Sequence, residues 1–355
     1  MNPVETVAMI RAQLSASTGW AIDAVEPMHH GRRSFSRHLT CRIRLNDGTE
    51  QLVFVKFVGG VSRDRARQET LVVRDHEVTT HLHAALRRHG RFTVPRPLAC
   101  SREHLMLICE HVDATRLQDK IARDARLFPS RRTVGELAAD CHRCGEWLRA
   151  FQAETVDFTS SGPSRGRDDT LDAETLLRLV TERVEMLRAA RTLDGTEAAK
   201  VTASAQAAAR AAALAPSVHS GIHADFFPGN VMVRGDEVIG IDFVMSRHGS
   251  IYFDPTYFIF QLETLASQLL IRRSVVDTLS RAFLHGFDAT IARADFWKQS
   301  PMFDLLFLTH ATARLRTLAL NRPPTLLRRL MARRELAALR FRVAQHVGSA
   351  AACAA

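Results

Sequence analysis

Asp225, Asn230 and Asp242 fall within one stretch, residues 217–243, and together they carry the oxygen atoms that a divalent cation and a proton transfer would need. Mg²⁺ prefers oxygen ligands and keeps part of its shell for phosphates and water. A carboxylate such as Asp225, in a loop held by Pro228 and Gly229, could orient and finally deprotonate a hydroxyl. The local chain explains how these groups would meet. Residues 231–234 and 238–241 are short apolar runs around Gly235-Asp236, which predicts a β-hairpin. In an antiparallel hairpin the start of the first strand lies beside the end of the second, so Asn230 and Asp242 become neighbours. Each residue alone reads equally well as a turn former or a cap. The chemistry is in the joint spacing His223-x-Asp225-x-x-x-x-Asn230, followed by strand, turn, strand and Asp242-Phe243.

Composition bounds the class. A chain of 355 residues with 46% apolar content can bury the cores of two lobes. The formal charge of +10 arises from 48 basic side chains, of which only Lys56, Lys120, Lys200 and Lys298 are lysine. Such an arginine bias reflects genome composition, and no basic run with interleaved aromatics occurs, so no nucleic-acid partner is expected. Six scattered cysteines without a hydrophobic leader lead to the expectation of a reduced, cytoplasmic protein, monomeric or homodimeric. No apolar run reaches the ~18 residues of a membrane span, so no membrane partner is expected either. Cys141-His-Arg-Cys144 lacks the second ligand pair of a structural zinc site and reads as an incidental feature of a helix surface.

The elements that must position the site follow in order. After an amphipathic helix over residues 3–16, strands are expected over 21–25, 35–45 and 51–58, the last two joined by Asn46-Asp47-Gly48. The connection over 29–36, with Ser34 among its hydroxyls, could fold over a phosphate, although one glycine is weak evidence. Lys56 interrupts an apolar strand in a protein that otherwise chooses arginine, and a flexible ammonium suits phosphates. An edge-strand lysine that deters aggregation is the plainer alternative. A helix over 66–88 offers Glu69 and Glu77 as partners for Lys56, and Glu77 is favoured because it lies nearer the Val78, Leu82, Leu86 face. A buried strand over 105–112 ends in Glu110, and helical patterning begins after it. The expected domains are therefore residues 1–112 and 113–355. Further helices are expected over 134–153, 172–190, 196–214, 274–293, 302–320 and 325–346, with Asp254 before Pro255 as the cap of another.

Taken in order, the strand lysine Lys56, a helix glutamate, the strand ending at Glu110, the loop His223-Ala-Asp225-Phe-Phe-Pro-Gly-Asn230 and Ile-Gly-Ile-Asp242-Phe resemble the aminoglycoside phosphotransferase and choline-kinase-like family. The resemblance covers roughly residues 20–260. It implies an α+β, two-lobed protein-kinase-like fold, with an antiparallel-sheet lobe followed by a larger, mainly helical one. It also implies an ATP- and Mg²⁺-dependent transfer of phosphate to a hydroxyl of a small molecule, with GTP a possible donor. By resemblance, Lys56 would hold the α- and β-phosphates, Glu77 would orient it, and Glu110 to Val112 would offer backbone groups to adenine. Asn230 and Asp242 would ligate Mg²⁺, Asp225 would act as base, and His223 would brace its loop. Phosphoryl transfer asks mainly for charge neutralisation and in-line positioning, which these groups supply.

Two other classes compete: a catalytically silent nucleotide-binding regulator, and a metal-dependent hydrolase built on His223 and Asp225, for which the loop supplies too few ligands. After Asp254 the chain carries more than twice as many cations as carboxylates. A cationic aminoglycoside is therefore disfavoured as acceptor, leaving a sugar, a nucleoside or another antibiotic. The loop over 159–169 and the helix from Met302 could shape the acceptor pocket.

Overall fold

The computed structural model describes residues 3–32, 36–59, 64–126, 128–158, 170–214, 218–269, 271–291, 296–298, 300–320 and 325–354. These form two compact units. The first comprises Met1–Arg116 and Asn230–Ser246, with Asp157 and Phe158. The second holds Leu117–Val156, the chain leading to Gly229, and Arg247–Ala355.

In the first unit, helix α1 (Pro3–Thr18) precedes strands β1 (Ile22–Arg32), β2 (Ser36–Leu45) and β3 (Glu50–Val58). Helix α2 (Arg65–Leu86) follows, then β4 (Phe92–Thr93), β5 (Pro97–Ser101), β6 (Met106–Glu110) and β7 (Thr115–Arg116). The main sheet is antiparallel in the order β1-β2-β3-β6-β5. Alternation along β3 sends Val53, Val55 and Phe57 to one face, where they pack with Ile10 and Leu14 of α1. Lys56 and Val58 therefore point to the other face, where Leu71 and Val72 of α2 meet Leu105, Leu107 and Cys109. Asp64 caps α2, its carboxylate accepting the Ala66 and Arg67 amides.

The second unit is mainly helical. Its helices are α3 (Leu117–Asp124), α4 (Arg131–Thr155), α5 (Ala173–Ala189), α6 (Gly195–Leu214), α7 (Phe253–Leu269), α8 (Arg273–Phe287), α9 (Pro301–Leu320) and α10 (Leu326–Ala354). A small sheet joins β8 (Thr170–Leu171), β12 (Arg247–Ser250) and β9 (His219–Ile222). The hairpin β10 (Val231–Arg234) and β11 (Glu237–Gly240) lies instead in the first unit, in the order β4-β11-β10-β7.

The two-part α+β architecture is the one expected, with differences of detail. The first unit runs past residue 112 to Arg116 because β7 pairs with β10, Arg116 opposite Met232, and the hairpin belongs with it. The connection expected over 29–36 is shorter, since β1 continues through Arg32, opposite Arg37. Ser34 and the loop over 159–169 lie outside the described residues. Cys141 and Cys144 sit in the α4 core rather than on its surface. They share the stripe of Leu137, Leu148 and Phe151, and burial holds both thiols well above their ordinary values.

Candidate active site

Lys56 is the centre of the first unit's polar site. Its Nζ donates to Asp75 Oδ2 at 2.7 Å and to Asp242 Oδ1 at 2.6 Å, while only 9% of the residue is exposed. Burial opposes the ammonium charge, but Asp242 and Asp75 hold Lys56 above its ordinary value, so it stays cationic. Burial also pushes the Asp75 carboxyl up, and Lys56 draws it back in part. The second oxygen of Asp75 accepts the Phe243 amide at 2.9 Å. One helix carboxylate thus ties β3, α2 and the turn after β11 together.

Asp75 corrects the expected partner, Glu77. Two residues along a helix is about 200° of rotation, so the two carboxylates leave α2 on nearly opposite sides. Leu71, Val72, Val73, Asp75, Val78, Thr79, Leu82 and Leu86 are buried, whereas Glu77 is only half-buried. A carboxylate set inside an apolar helical stripe was the signal available in the sequence.

The hairpin brings Asn230 and Asp242 to one end, as its spacing predicts. Val231 opposes Gly240, and the Ile241 amide donates to the Asn230 carbonyl at 3.1 Å. Asp242 is left-handed, with φ 72° and ψ 63°, at the start of a 3₁₀ turn over Phe243–Met245. An aspartate tolerates this region better than most residues, and departures from common backbone regions concentrate at functional sites. The strain is held by the Phe243 amide bond to Asp75 and by the Lys56 pair. Asn230 and Asp242 offer oxygen donors of the kind a hard cation takes, and two protein ligands leave room for phosphate oxygens. No cluster of three His, Cys, Asp or Glu side chains suited to a metal occurs among the described residues.

A cleft of about 280 Å³ opens beside these groups, wholly within the first unit. Lys56, Asp75 and Asp242 line its polar end, and Glu110, Val112 and Met232 another part of its wall. Its size is at the lower end of small-ligand pockets. The His38 ring stacks on Phe54 with centroids 5.5 Å apart, giving the wall a flat aromatic surface. Glu110 and His111 already spend their amides on the Arg96 and Leu52 carbonyls. The sheet thus fixes the strand end at which Val112 lies.

In the second unit, His223, Ala224 and Asp225 form a loop after β9. Ala224 is left-handed at φ 60°, a conformation costing about 1–3 kcal/mol. Asp254 offsets it: its two carboxylate oxygens accept the His223 and Ala224 amides at 2.7 and 2.9 Å. Asp254 is therefore not the helix cap expected from the sequence. Helix α7 begins one residue earlier, at Phe253, and Pro255 is tolerated in its first turn. Burial raises the Asp254 carboxyl to about 7, against the lowering effect of its two amide bonds. His223 is fully buried against Phe226 and Phe151, which fits a bracing role. Asp225 is half-buried, and burial, with the Asp225 charge adding to it, pushes the Tyr257 phenol up. Nothing in the linear sequence marked Tyr257.

The sequence model described as "APH: Phosphotransferase enzyme family" matches residues 42–297. No curated protein sequence matches the chain. A solved structure of a thermostable aminoglycoside phosphotransferase APH(4)-Ia mutant, in ternary complex with AMP-PNP and hygromycin B, aligns with 95% of this chain and 97% of its own. The identity is 16% and the TM-score 0.56. A choline/ethanolamine kinase family protein from Mesorhizobium loti aligns over 96% and 97% at 15% identity, TM-score 0.52. The macrolide 2'-phosphotransferase MphH from Brachybacterium faecium aligns over 97% and 98% at 12% identity, TM-score 0.52. At these identities the likeness is one of fold.

Proposed function

The chain belongs to the phosphotransferase enzyme family, small-molecule kinases of kinase-like fold, and from that premise we propose that it transfers the γ-phosphoryl group of ATP to a hydroxyl of a small molecule. The observation that carries the reading is Lys56, held between Asp75 and Asp242 at the edge of a small-molecule-sized cleft. In this reading Lys56 binds donor phosphates and Asp75 takes the orienting role first expected of Glu77. Glu110 and Val112 flank the base of the nucleotide. The solved AMP-PNP complex of the APH(4)-Ia relative supports a nucleotide in this class of cleft.

Asn230 and Asp242 are the residues that would hold Mg²⁺, which when bound supplies charge neutralisation for the phosphates. Asp225 orients the acceptor hydroxyl and takes its proton as the oxygen attacks. Asp254 and the buried His223 keep the Asp225 loop in its left-handed turn. The acceptor is neutral or anionic, given the excess of arginine after Asp254. A reduced, cytoplasmic setting belongs to the reading and is supported by free Cys41, Cys100, Cys109, Cys141 and Cys144. No described helix is long and apolar enough to cross a membrane.

The test is a panel of hydroxylated compounds incubated with Mg-ATP or Mg-GTP, read by nucleoside diphosphate release and by product mass. A phosphorylated product is expected from at least one compound. Nucleotide-dependent stabilisation without any product would favour the regulator instead.

A further inference from the structure

Helix α10 packs on α6, α7 and α9 through one face, where Leu339, Val343 and Val347 join the core of the second unit. Its opposite face carries a second apolar stripe. Leu326, Leu330 and Phe341 are 69%, 53% and 63% exposed, and Ala337 is exposed with them. At about 100° of rotation per residue these four positions fall within a sector about 60° wide, and the row they make is about 20 Å long. Apolar side chains scattered singly over a surface need no explanation. A continuous row on a helix whose other face already serves the core points to a binding surface.

The charges about the stripe define its partner. α10 contains six arginines and a single carboxylate, Glu335. Glu335 is buried and turned inward, where both its oxygens accept from Arg314 of α9, at 2.5 and 2.9 Å. The arginines that reach neighbouring helices also meet carboxylates: Arg340 binds Glu197 of α6 at 2.8 Å, and Arg342 binds Glu263 of α7. Arg329 and Arg333 lie instead along one edge of the outer stripe and Arg334 along the other, all three exposed. Among the described residues no carboxylate pairs with Arg333 or Arg334. The outer face is thus apolar along its centre and cationic along both edges, with no acidic residue of its own. A second copy of the chain would set like charges against one another across this face. An acidic helix would need a groove, and an exposed helix face is convex.

We propose that the outer face of α10 lies on anionic lipid membranes, with Leu326, Leu330 and Phe341 at the boundary of the acyl chains and Arg329, Arg333 and Arg334 on lipid phosphates. A bilayer surface receives a convex apolar ridge without any preformed complement. Arginine suits the edges of such a ridge, because its aliphatic stem lies along apolar surface while the guanidinium reaches out to phosphate oxygens. Near an anionic leaflet each such cation strengthens attachment about fivefold. No described helix is long and apolar enough to cross a membrane. That bears on spanning a bilayer, and a helix that lies in the interface needs no spanning run.

The test is co-sedimentation of the full chain with vesicles of phosphatidylcholine alone, or of phosphatidylcholine mixed with phosphatidylserine, at low and high salt. Binding to the mixed vesicles is expected, weakened by salt and missing from the neutral ones. Arg333→Gln combined with Arg334→Gln should weaken it about 30-fold, and Leu330→Ser combined with Phe341→Ser should abolish it. All four side chains are exposed, so both variants should melt where the native protein does. No binding to either vesicle, equal binding to both, or binding that neither variant changes would overturn the proposal. A native dimer by light scattering that Leu330→Ser with Phe341→Ser dissociates, without vesicle binding, would give the face to a second copy. Binding to polyglutamate through the same arginines, again without vesicle binding, would give it to an acidic protein.

Discussion

Replacing Asp75 by alanine separates the observed ion pair from the one the sequence suggested. Asp75 is 2% exposed and Lys56 9%, so solvent gives this pair little screening. Removing one member of a buried pair costs about 3–5 kcal/mol because the other charge is left behind. Asp242 remains on Lys56 and offsets part of that. The Phe243 amide loses its acceptor, a penalty of about 1–3 kcal/mol. The net loss expected is about 3 kcal/mol, which for a domain of this size lowers the melting midpoint by about 6–12 °C. Glu77→Ala, at a half-buried position off the apolar stripe, should change stability by no more than about 0.5–1 kcal/mol. Thermal and urea unfolding of both variants, with and without Mg-ATP, measure the difference. Asp75→Ala should also weaken nucleotide-induced stabilisation, since Lys56 loses its orientation. The reasoning is refuted if Glu77→Ala falls as far as Asp75→Ala.

Other consequences follow from single contacts. A Cβ on Gly145 would stand 2.1 Å from the Phe283 carbonyl and 2.6 Å from the Phe287 amide, so Gly145→Ala must push α4 from α8; a loss of about 1–3 kcal/mol in urea unfolding is expected. Asp254 titrates near 7 when folded against 3.8 ordinarily, so between those values the folded state keeps a proton that the unfolded state has released. Its contribution therefore falls as pH rises through that window, by about 4 kcal/mol in all, and Asp254→Asn should flatten the slope seen in pH-stepped unfolding. Lys56→Met leaves Asp75 and Asp242 without their cation. Its melting midpoint should rise as the pH is lowered, because Asp75, whose carboxyl burial already pushes up, then takes up a proton in place of the lost cation, and its affinity for a fluorescent ATP analogue should drop.

What the sequence disclosed depended on range. The hairpin was legible because Gly235-Asp236 and the flanking apolar runs determine it within a few residues, and the Asn230 and Asp242 positions follow from its register. Lys56 was legible because a lone charge in Leu-Val-Phe-Val-Lys-Phe-Val contradicts the strand around it. Asp75 was legible in principle, since the stripe from Leu71 to Leu86 passes through it, but proximity to Val78 drew attention to Glu77. Asp254 could not be read correctly, because its partners are amides thirty residues earlier, exposed by the left-handed Ala224. An Asp-Pro pair looks like a cap whichever amides it serves. Cys141 and Cys144 were drawn to the surface by their metal-like spacing, although the apolar stripe of α4 already placed them in the core.

Transfer of a phosphoryl group from ATP to a small-molecule hydroxyl, with Asp225 as base, can be followed atom by atom. The direct measurement uses ATP whose γ-phosphate carries ¹⁸O, followed by mass analysis of the acceptor. A labelled phosphoester is expected with the native protein. None is expected with Asp225→Asn, although that variant should still gain stability from Mg-ATP. Labelled product formed at the native rate by Asp225→Asn would contradict it.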